Sequence, residues 1–446
     1  MVSNQLSLKR IFNTWWPLAT SWLLMSIEGP ALSAVVARLV DPKIHLAAYG
    51  GVVFPLALVI ESPIIMLLAA STALSRDWAS YVRMRRFMMI SSAALTALHL
   101  LVVFTPLYYL VVKGLLHTPQ EIIEPARIGL IIMTPWTWSI AYRRFHQGVL
   151  IRFGHSRAIT TGTFIRLAAD LIILMIGYLI HDIPGIVVAT TAVALGVISE
   201  AGFVGLVVRP VLRDQLRPAQ PVDPPLTQAA FMGFYLPLVM TSLIMLLANP
   251  IGSAAMGRMP SPIESLAVWQ VLGGLIFMIR SLGVAYNEVV VALLDEKGSA
   301  RALQRFATIL VSCLTVLWIL LVTTPLANIW FTRMMALDPQ LAQMAQLGAW
   351  FAIPLPAMAV LQSWFQGSIL HGRRTGAITE AVVIYLLFNV VTLVVGIVWG
   401  KPTGIYIGLG SLVISSLIQT FWLWLRSRST RVKMHALDAS LAQLDD

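Results

Sequence analysis

The sequence predicts an all-α membrane protein of twelve transmembrane helices, built as two six-helix repeats. Three observations lead to this prediction: the composition, the length of the apolar runs and an internal duplication. Hydrophobic residues make up 58% of the 446 residues and charged residues 11%, against about 45–50% and about 25% in soluble globular proteins. Lipid is therefore the solvent that suits this composition.

The apolar runs favour helices over a β-barrel. Segments such as 171–178 and 309–322 are uncharged, predominantly apolar and do not alternate with polar residues. A helix satisfies its backbone hydrogen bonds within one segment, which lipid requires. A span needs about 20 residues. Twelve segments are placed on this basis, near 13–40, 46–75, 87–113, 126–150, 158–180, 184–208, 229–259, 264–294, 304–332, 342–369, 376–400 and 403–425.

The two halves of the sequence align almost without gaps. Pro30 aligns with Pro250, and Gln147-Gly148 aligns with Gln366-Gly367 at nearly the same offset. Matches of Pro, Gly, Gln and Arg are informative because a Leu-rich composition does not produce them by itself. An offset that changes by only one residue over about two hundred positions indicates duplication. Further matches are Arg38 with Arg258, Thr105-Pro106-Leu107 with Thr324-Pro325-Leu326, and Gly185-Ile186 with Gly404-Ile405.

The duplication predicts the domain organisation. Residues 1–212 form an N-terminal six-helix bundle, 213–228 a cytoplasmic linker, 229–426 a C-terminal six-helix bundle and 427–446 a short cytoplasmic tail. Each repeat has an even number of helices, so both insert in the same direction.

The distribution of Lys and Arg predicts the orientation. Alternate loops and both termini are richer in basic residues, which places both termini in the cytoplasm of a cell-membrane protein. This count assigns Arg143 and Arg144, at the end of the fourth span, to the loop between the fourth and fifth spans. Arg166 and Arg280 are then the basic residues inside the spans.

Several function classes are excluded by the sequence. The net charge of +11 does not indicate nucleic acid, because the basic residues lie in short clusters between apolar runs. The single cysteine, Cys313, provides no disulfide framework or zinc site. Phosphate-loop and hydrolase motifs are absent. The chain is therefore predicted to be no enzyme and to have no catalytic residue, metal or cofactor, whereas repeated membrane bundles are typical of transporters.

Four short motifs carry a resemblance to a known superfamily. They are Glu28–Leu32 in helix 1, Leu46–Gly50 at the start of helix 2, Glu61–Pro63 within helix 2 and Gly404–Leu412 in helix 12. In these motifs the chain resembles the multidrug and toxic compound extrusion (MATE) fold of the multidrug/oligosaccharidyl-lipid/polysaccharide (MOP) exporter superfamily. Within it, the chain is most similar to the progressive ankylosis protein family.

The resemblance implies a V-shaped pair of bundles that exports a solute from the cytoplasm by alternating access, coupled to protons or sodium. MATE exporters often couple through an acid in the extracellular half of helix 1. Here Glu28 lies near the middle and Leu32–Ala37 is uncharged, so this chain departs from that pattern. Progressive ankylosis proteins release small anions such as pyrophosphate, ATP or citrate, but their polar tail is missing here.

The resemblance and the residues leave three functions open. The first is secondary-active export of a small organic ion or amphipathic solute, for which an anion is one candidate, with lipids as the other partner. The second is flipping of a lipid-linked precursor, which other members of the superfamily perform. It ranks lower, because a large cationic cavity is expected and only two arginines fall inside the spans. The third is a receptor or scaffold, which explains neither the duplication nor the charges.

Glu28 and its surroundings form the first candidate site. Glu28 precedes Gly29-Pro30, and proline frees a backbone carbonyl and kinks the helix. A carboxylate beside freed carbonyls can bind a proton or cation. The repeat equivalent, Asn249-Pro250, is also polar and kinked. The alternative is a structural kink with Glu28 paired to a neighbour.

Glu61 and Arg280 form the second candidate, because they occupy equivalent positions in the two repeats. Both fall near the middle of their spans, where an ionised residue costs about 2.5–3.5 kcal/mol on insertion scales. We expect them to face the cleft between the bundles, as a gate or as separate binding groups. A permanent structural ion pair is the alternative.

Arg166 and Asp170 form the third candidate, four residues apart on helix 5 and therefore on one face. A self-neutralised pair that helps the helix insert is the favoured interpretation, and a place on the solute pathway is the alternative. Glu200 in helix 6 has no partner nearby in sequence and can join this pair. His99 in helix 3 is expected to be a hydrogen-bonded core residue.

Overall fold

A computed structural model of the chain describes residues 6–294, 296, 299–371 and 376–444. Helices are the only regular elements in these ranges. The first half contains α1 Leu8–Val36, α2 Pro42–Ala48, α3 Phe54–Ile65, α4 Leu67–Leu74, α5 Trp78–Phe104, α6 Leu107–Tyr109, α7 Gln120–Ile132, α8 Thr134–Arg152, α9 Arg157–Ile180 and α10 Gly185–Val211. The second half contains α11 Gln228–Met256, α12 Pro262–Val284, α13 Tyr286–Leu293, α14 Ser299–Thr323, α15 Leu326–Asn328, α16 Pro339–Phe351, α17 Leu355–His371, α18 Gly376–Trp399 and α19 Gly404–Leu444. Short π-helical turns occupy Tyr49–Val53, Leu110–Leu115, Leu212–Leu216 and Ile329–Met334.

The helix boundaries repeat in the two halves. Helices α1 and α11 are both 29 residues long and both contain two internal prolines. Helices α7 and α16 both have 13 residues, and α9 and α18 both have 24. The duplication seen in the sequence is therefore also a duplication of structure.

The number of spans agrees approximately with the predicted twelve. In the described ranges, ten helical runs are long and apolar enough to cross a membrane, or eleven with the pair α16 and α17, which is bent by 42°. The predicted span 126–150 falls on α7 and α8 and is not among them. Helix α8 is too polar for this test, because it carries Arg143, Arg144 and Arg152.

Two predicted segments differ from the observed helices. The third span was placed at 87–113, but α5 begins at Trp78, because arginines such as Arg83 weaken an apolar pattern while they are good helix formers. The predicted tail 427–446 is helical to Leu444, as a continuation of α19.

By packing, the chain forms two compact units. The N-unit comprises Ala31–Gln270, and the C-unit comprises Met1–Pro30 together with Val271–Asp446. Helix α11 thus packs within the N-unit, where Tyr235 donates a hydrogen bond to the Pro63 carbonyl. In the C-unit, the Trp15 indole of α1 donates to the Leu282 carbonyl at 3.0 Å. The bundles 1–212 and 229–426 describe the repeat, whereas these units describe the packing.

Each unit has an apolar core and an apolar surface. Tyr108 and Phe145 are fully buried in the N-unit, and Trp318 is fully buried in the C-unit. Large apolar side chains also lie outside, for example Leu179 at 72% exposure and Val398 at 82%. Apolar surface on this scale fits contact with lipid rather than water.

Asp77 connects the start of α5 to the linker before α11. Its carboxylate caps α5 by accepting from the Ser80 amide at 2.9 Å, and it accepts from the Val222 amide at 3.0 Å. The Arg217 guanidinium lies 4.7 Å from the Trp78 ring centroid and forms a second contact. Burial raises the pKa of Asp77, but these hydrogen bonds outweigh burial and lower the pKa below its ordinary value.

Asp77→Ala is expected to loosen the linker. Loss of a helix cap costs about 1 kcal/mol, so amide hydrogen exchange in 217–227 should become faster by several-fold. Because the folded-state pKa is lowered, the stabilisation is present above about pH 4 and is lost as the pH falls below it. The difference in Tm between Asp77→Ala and the wild type should therefore disappear at acidic pH.

The matched control is Asp338→Ala, which removes a cap of the same kind from α16. It should lower Tm without changing exchange in 217–227. Equal exchange in both variants would show that Asp77 does not hold the linker.

Candidate functional site

The site is in the N-unit, where α9 and α10 approach each other through glycines. A Cβ on Gly196 would lie 1.7 Å from Asp170 Oδ1, and a Cβ on Gly162 would lie 3.2 Å from Glu200 Cγ. At position 196 only glycine leaves room for the Asp170 carboxylate, whereas a methyl group at position 162 would require Glu200 to shift slightly. Asp170 and Glu200 are 1% and 0% exposed.

Glu200 is the centre of the polar contacts. Arg143 of α8 donates to Glu200 Oε2, and Gln147, one turn further along α8, donates to Glu200 Oε1 at 2.9 Å. Arg166 Nε of α9 lies 3.7 Å from Glu200 Oε2. Three side chains from two helices thus converge on one buried carboxylate, and Glu200 joins Arg166 as the sequence suggested.

Glu61 and Arg144 extend this arrangement. Glu61 on α3 is 2% exposed, and Arg143 and Arg144 are its electrostatic neighbours. Glu61 Oε2 and Arg144 Nε are buried and have no hydrogen-bond partner among the described residues. We name as the charged cluster three arginines and three carboxylates, whose formal charges cancel: Arg143, Arg144, Arg166, Glu61, Asp170 and Glu200.

The predicted pair Arg166 and Asp170 lies on one face of α9, and both side chains have interaction partners. Self-neutralisation within α9 alone is an incomplete description, because Arg166 also reaches Glu200 of α10. Whether the pair is on a solute pathway remains a prediction.

Sequence reasoning missed Arg143 and Arg144. The predicted span 126–150 contains both positions, but the count of basic residues assigned them to the adjoining loop. Both lie in α8, and Arg143 is buried. The assignment of only Arg166 and Arg280 as basic residues within the spans was therefore wrong. Four carboxylates were predicted within spans of the first half, Glu28 among them, with Arg166 as the single cation; this imbalance was a signal that further cations had to be nearby.

The remaining candidates do not join the charged cluster in the N-unit. Glu28 is half-buried and Pro30 buried, and both belong to the part of α1 in the C-unit. Arg280 is half-buried in the C-unit, where the Tyr385 phenol is its electrostatic neighbour. Asn249 is half-buried on α11 in the N-unit. Because Glu61 and Arg280 belong to different units, their predicted meeting stays a prediction.

At the repeat-equivalent positions the C-unit carries one charge, Arg280 in the place of Glu61, and otherwise neutral side chains. Gln362 and Gln419 stand where Arg143 and Glu200 stand in the N-unit, and Gln362 Nε2 donates to Gln419 Oε1 at 3.3 Å. Asn389 occupies the position of Asp170 and donates to Ser411 at 3.2 Å. We name Gln362, Asn389, Ser411 and Gln419, together with Thr420, the amide cluster.

Other polar residues are structural. His99 is fully buried, and its Nε2 donates to the Leu130 carbonyl at 3.0 Å while Nδ1 accepts from the Thr137 hydroxyl at 3.2 Å. The prediction of a hydrogen-bonded core histidine is confirmed. Over the described ranges, His, Cys, Asp and Glu side chains form no group of three that could hold a metal ion.

Comparisons with known proteins identify the fold. No protein-family model and no curated protein matches the chain. Among solved structures, an inward-facing multidrug resistance MATE family transporter of the MOP superfamily is similar with a TM-score of 0.67 and 16% identity, covering 94% of this chain and 96% of that chain. The inward-closed lipid II flippase MurJ gives a TM-score of 0.69 and 14% identity, covering 96% and 91%.

A third similar structure is a MOP superfamily transporter from Pyrococcus furiosus, described as having a binding pocket of reverse polarity. Its TM-score is 0.62 at 15% identity, with 97% of each chain covered. The chain therefore has the fold of the MATE transporters and is a multi-pass membrane protein. Identities at this level establish the fold alone, so the likeness to the progressive ankylosis family stays a prediction.

Proposed function

We propose that the protein is a secondary-active exporter of the cell membrane that moves a small organic ion or amphipathic solute by alternating access. The observation that supports this most is the charged cluster within membrane helices of a transporter fold. Ionised side chains inside a membrane are costly and typically mark ion or substrate pathways. Both termini lie in the cytoplasm in this proposal, and lipids and the solute are the partners.

The energy source in this proposal is a proton or sodium gradient, with no cofactor and no enzymatic step. In the N-unit, a proton or a cation can bind to the carboxylates Glu61, Asp170 and Glu200 in competition with the neighbouring arginines. Glu28 in the C-unit is the further carboxylate that the sequence singled out.

The test is solute uptake into inverted membrane vesicles under an imposed proton or sodium gradient. A panel of anionic, cationic and amphoteric solutes is needed, chosen from those that accumulate in a deletion strain. Uptake that follows one gradient and collapses with an ionophore is the expected result. Uptake of every solute that is independent of both gradients would contradict coupled export.

Arg280→Ala and Glu61→Gln are expected to have separable effects. Loss of a charged hydrogen bond costs about 1.5–3 kcal/mol, so Arg280→Ala should reduce export of anionic solutes at least about tenfold relative to cationic ones. Glu61→Gln should change the dependence on pH or sodium. Vesicle uptake with paired solutes measures both effects.

Arg305→Ala and Glu121→Gln are the matched controls, because both residues are exposed. They should leave uptake unchanged. If Arg280→Ala reduces the export of all solutes equally, Arg280 stabilises the fold and does not select the solute.

A second candidate function is flipping of a lipid-linked precursor. The similarity to MurJ favours it, as do the buried Arg143 and the half-buried Arg144, which the sequence count placed in a loop. The three carboxylates of the charged cluster cancel this positive charge, so export of a solute keeps the higher rank. Transbilayer movement of a fluorescent lipid-linked sugar in proteoliposomes, without solute uptake, would reverse the ranking.

A further inference from the structure

The charged cluster is not required to pack its helices. Helices α17, α18 and α19 of the C-unit are the repeat equivalents of α8, α9 and α10, and they meet through the amide cluster. Gln362 Nε2 also donates to Thr420 Oγ1 at 3.0 Å. Neutral amides and hydroxyls therefore suffice to join these three helices, so their contacts do not require the ion pair of Arg143 and Glu200.

Within the charged cluster the hydrogen bonds are unevenly distributed. Glu200 receives Arg143 and Gln147, and Arg166 lies beside it. In the described part of the chain, no ion pair is formed by Glu61 or Arg144, and Glu61 Oε2 and Arg144 Nε lack a hydrogen-bond partner. One carboxylate and one guanidinium thus remain within electrostatic range of each other, each with unused hydrogen-bonding capacity.

Such a pair of groups is costly to bury unless something binds between them. A buried polar atom without a partner costs about 1–3 kcal/mol, and more if the group is charged. A guanidinium prefers a carboxylate or phosphate, which it can bind through two parallel hydrogen bonds. A buried carboxylate accepts from an ammonium or hydroxyl group.

We propose that Glu61 and Arg144 form a two-point binding site for an amphoteric group, whose anionic end binds Arg144 and whose hydrogen-bond donor binds Glu61. Arg143, held by Glu200, orients the positive side of this site and is a positioning residue. The proposal rests on the exporter function, since it names the solute class. A small zwitterionic solute and a zwitterionic lipid headgroup share the required chemistry.

The experiment uses the full chain in phosphatidylcholine nanodiscs, with Tm as the measure of binding. Three probes with the same four-carbon chain separate the two ends: γ-aminobutyrate carries both charges, butyrate only the anion and butylamine only the cation. In the wild type, γ-aminobutyrate should bind at least about tenfold more tightly than either single-charge probe.

The variants assign each end to its residue. Arg144→Gln should remove the advantage of γ-aminobutyrate over butylamine, and Glu61→Gln should remove its advantage over butyrate. Arg152→Gln, at the exposed end of the same helix, should change neither. Absence of binding by all three probes, equal binding by γ-aminobutyrate and butyrate, or unchanged preferences in the variants would overturn the site.

The source of the ligand is decided by the lipid. If phosphatidylethanolamine nanodiscs suppress γ-aminobutyrate binding, the headgroup is the occupant; unchanged binding identifies a soluble solute. Because no gradient is present, failure of this experiment leaves the exporter proposal untouched. Conversely, binding without gradient-driven uptake would contradict export and leave the site in place.

Discussion

Arg143→Gln and Glu200→Gln are each expected to remove most of the folded protein, and the double variant is expected to restore it. Removal of one partner of a buried ion pair leaves an uncompensated charge and costs about 3–5 kcal/mol. Arg143 is 5% exposed and Glu200 is 0% exposed, so water cannot compensate. The double variant recreates the Gln362–Gln419 contact of the C-unit and keeps the cluster neutral.

The measurement is the yield of monodisperse protein and its Tm in a mild detergent. Arg213→Gln is the control, because Arg213 forms an exposed pair with Asp214 and such pairs contribute only about 0–1 kcal/mol. If the double variant loses as much stability as the two single variants combined, a neutral Gln–Gln contact cannot replace the ion pair in the N-unit. The amide cluster would then not show that neutral side chains can join these helices.

Among glycine-to-alanine substitutions in the N-unit, each of which adds one methyl group, Gly196→Ala is expected to lower the stability most. The added Cβ would meet Asp170 Oδ1 at 1.7 Å, so either the carboxylate leaves its position beside Arg166 or α9 separates from α10. Overpacking of this kind costs about 1–3 kcal/mol, to which the displaced charge adds. Tm and vesicle uptake should both fall.

The control is Gly202→Ala, in the same helix but facing open space. Alanine is favoured over glycine in a helix by about 1 kcal/mol, so this variant should be neutral or slightly stabilised. Equal Tm values for the two variants would mean that α9 and α10 do not pack closely at Gly196.

Much of the fold could be predicted from the sequence because it depends on local patterns. Apolar length identifies the helices, and matched prolines such as Pro30 and Pro250 identify the repeat. The start of α5 was harder to place, because the basic residue Arg83 belongs to the helix but not to the apolar run. The packing of α1 with the second half of the chain is non-local, and no pattern along the chain records it.

The candidate site was predicted only in part for the same reason. Glu61, Arg166, Asp170 and Glu200 stood out as charges in apolar runs. Arg143 lies in a polar helix, and what permits its burial is Glu200, which is 57 positions away. Hydropathy evaluates each segment alone, so it cannot register a compensating charge on another helix.

Two-sided access to the charged cluster tests the exporter proposal most directly. Ser139 lies one helical turn before Arg143 on α8, and Ser139→Cys combined with Cys313→Ala, which removes the exposed native cysteine, provides a single reporter. A membrane-impermeant maleimide is applied to right-side-out and to inverted vesicles under opposite gradients. Leu387→Cys, at a 57% exposed position on the apolar surface of α18, is the control that should react from neither side.

Alternating access predicts that the Ser139→Cys reporter reacts from both sides, and that reversal of the proton or sodium gradient shifts reactivity from one side to the other. Reaction from one side only, whatever the gradient, would contradict the account and favour a receptor or scaffold.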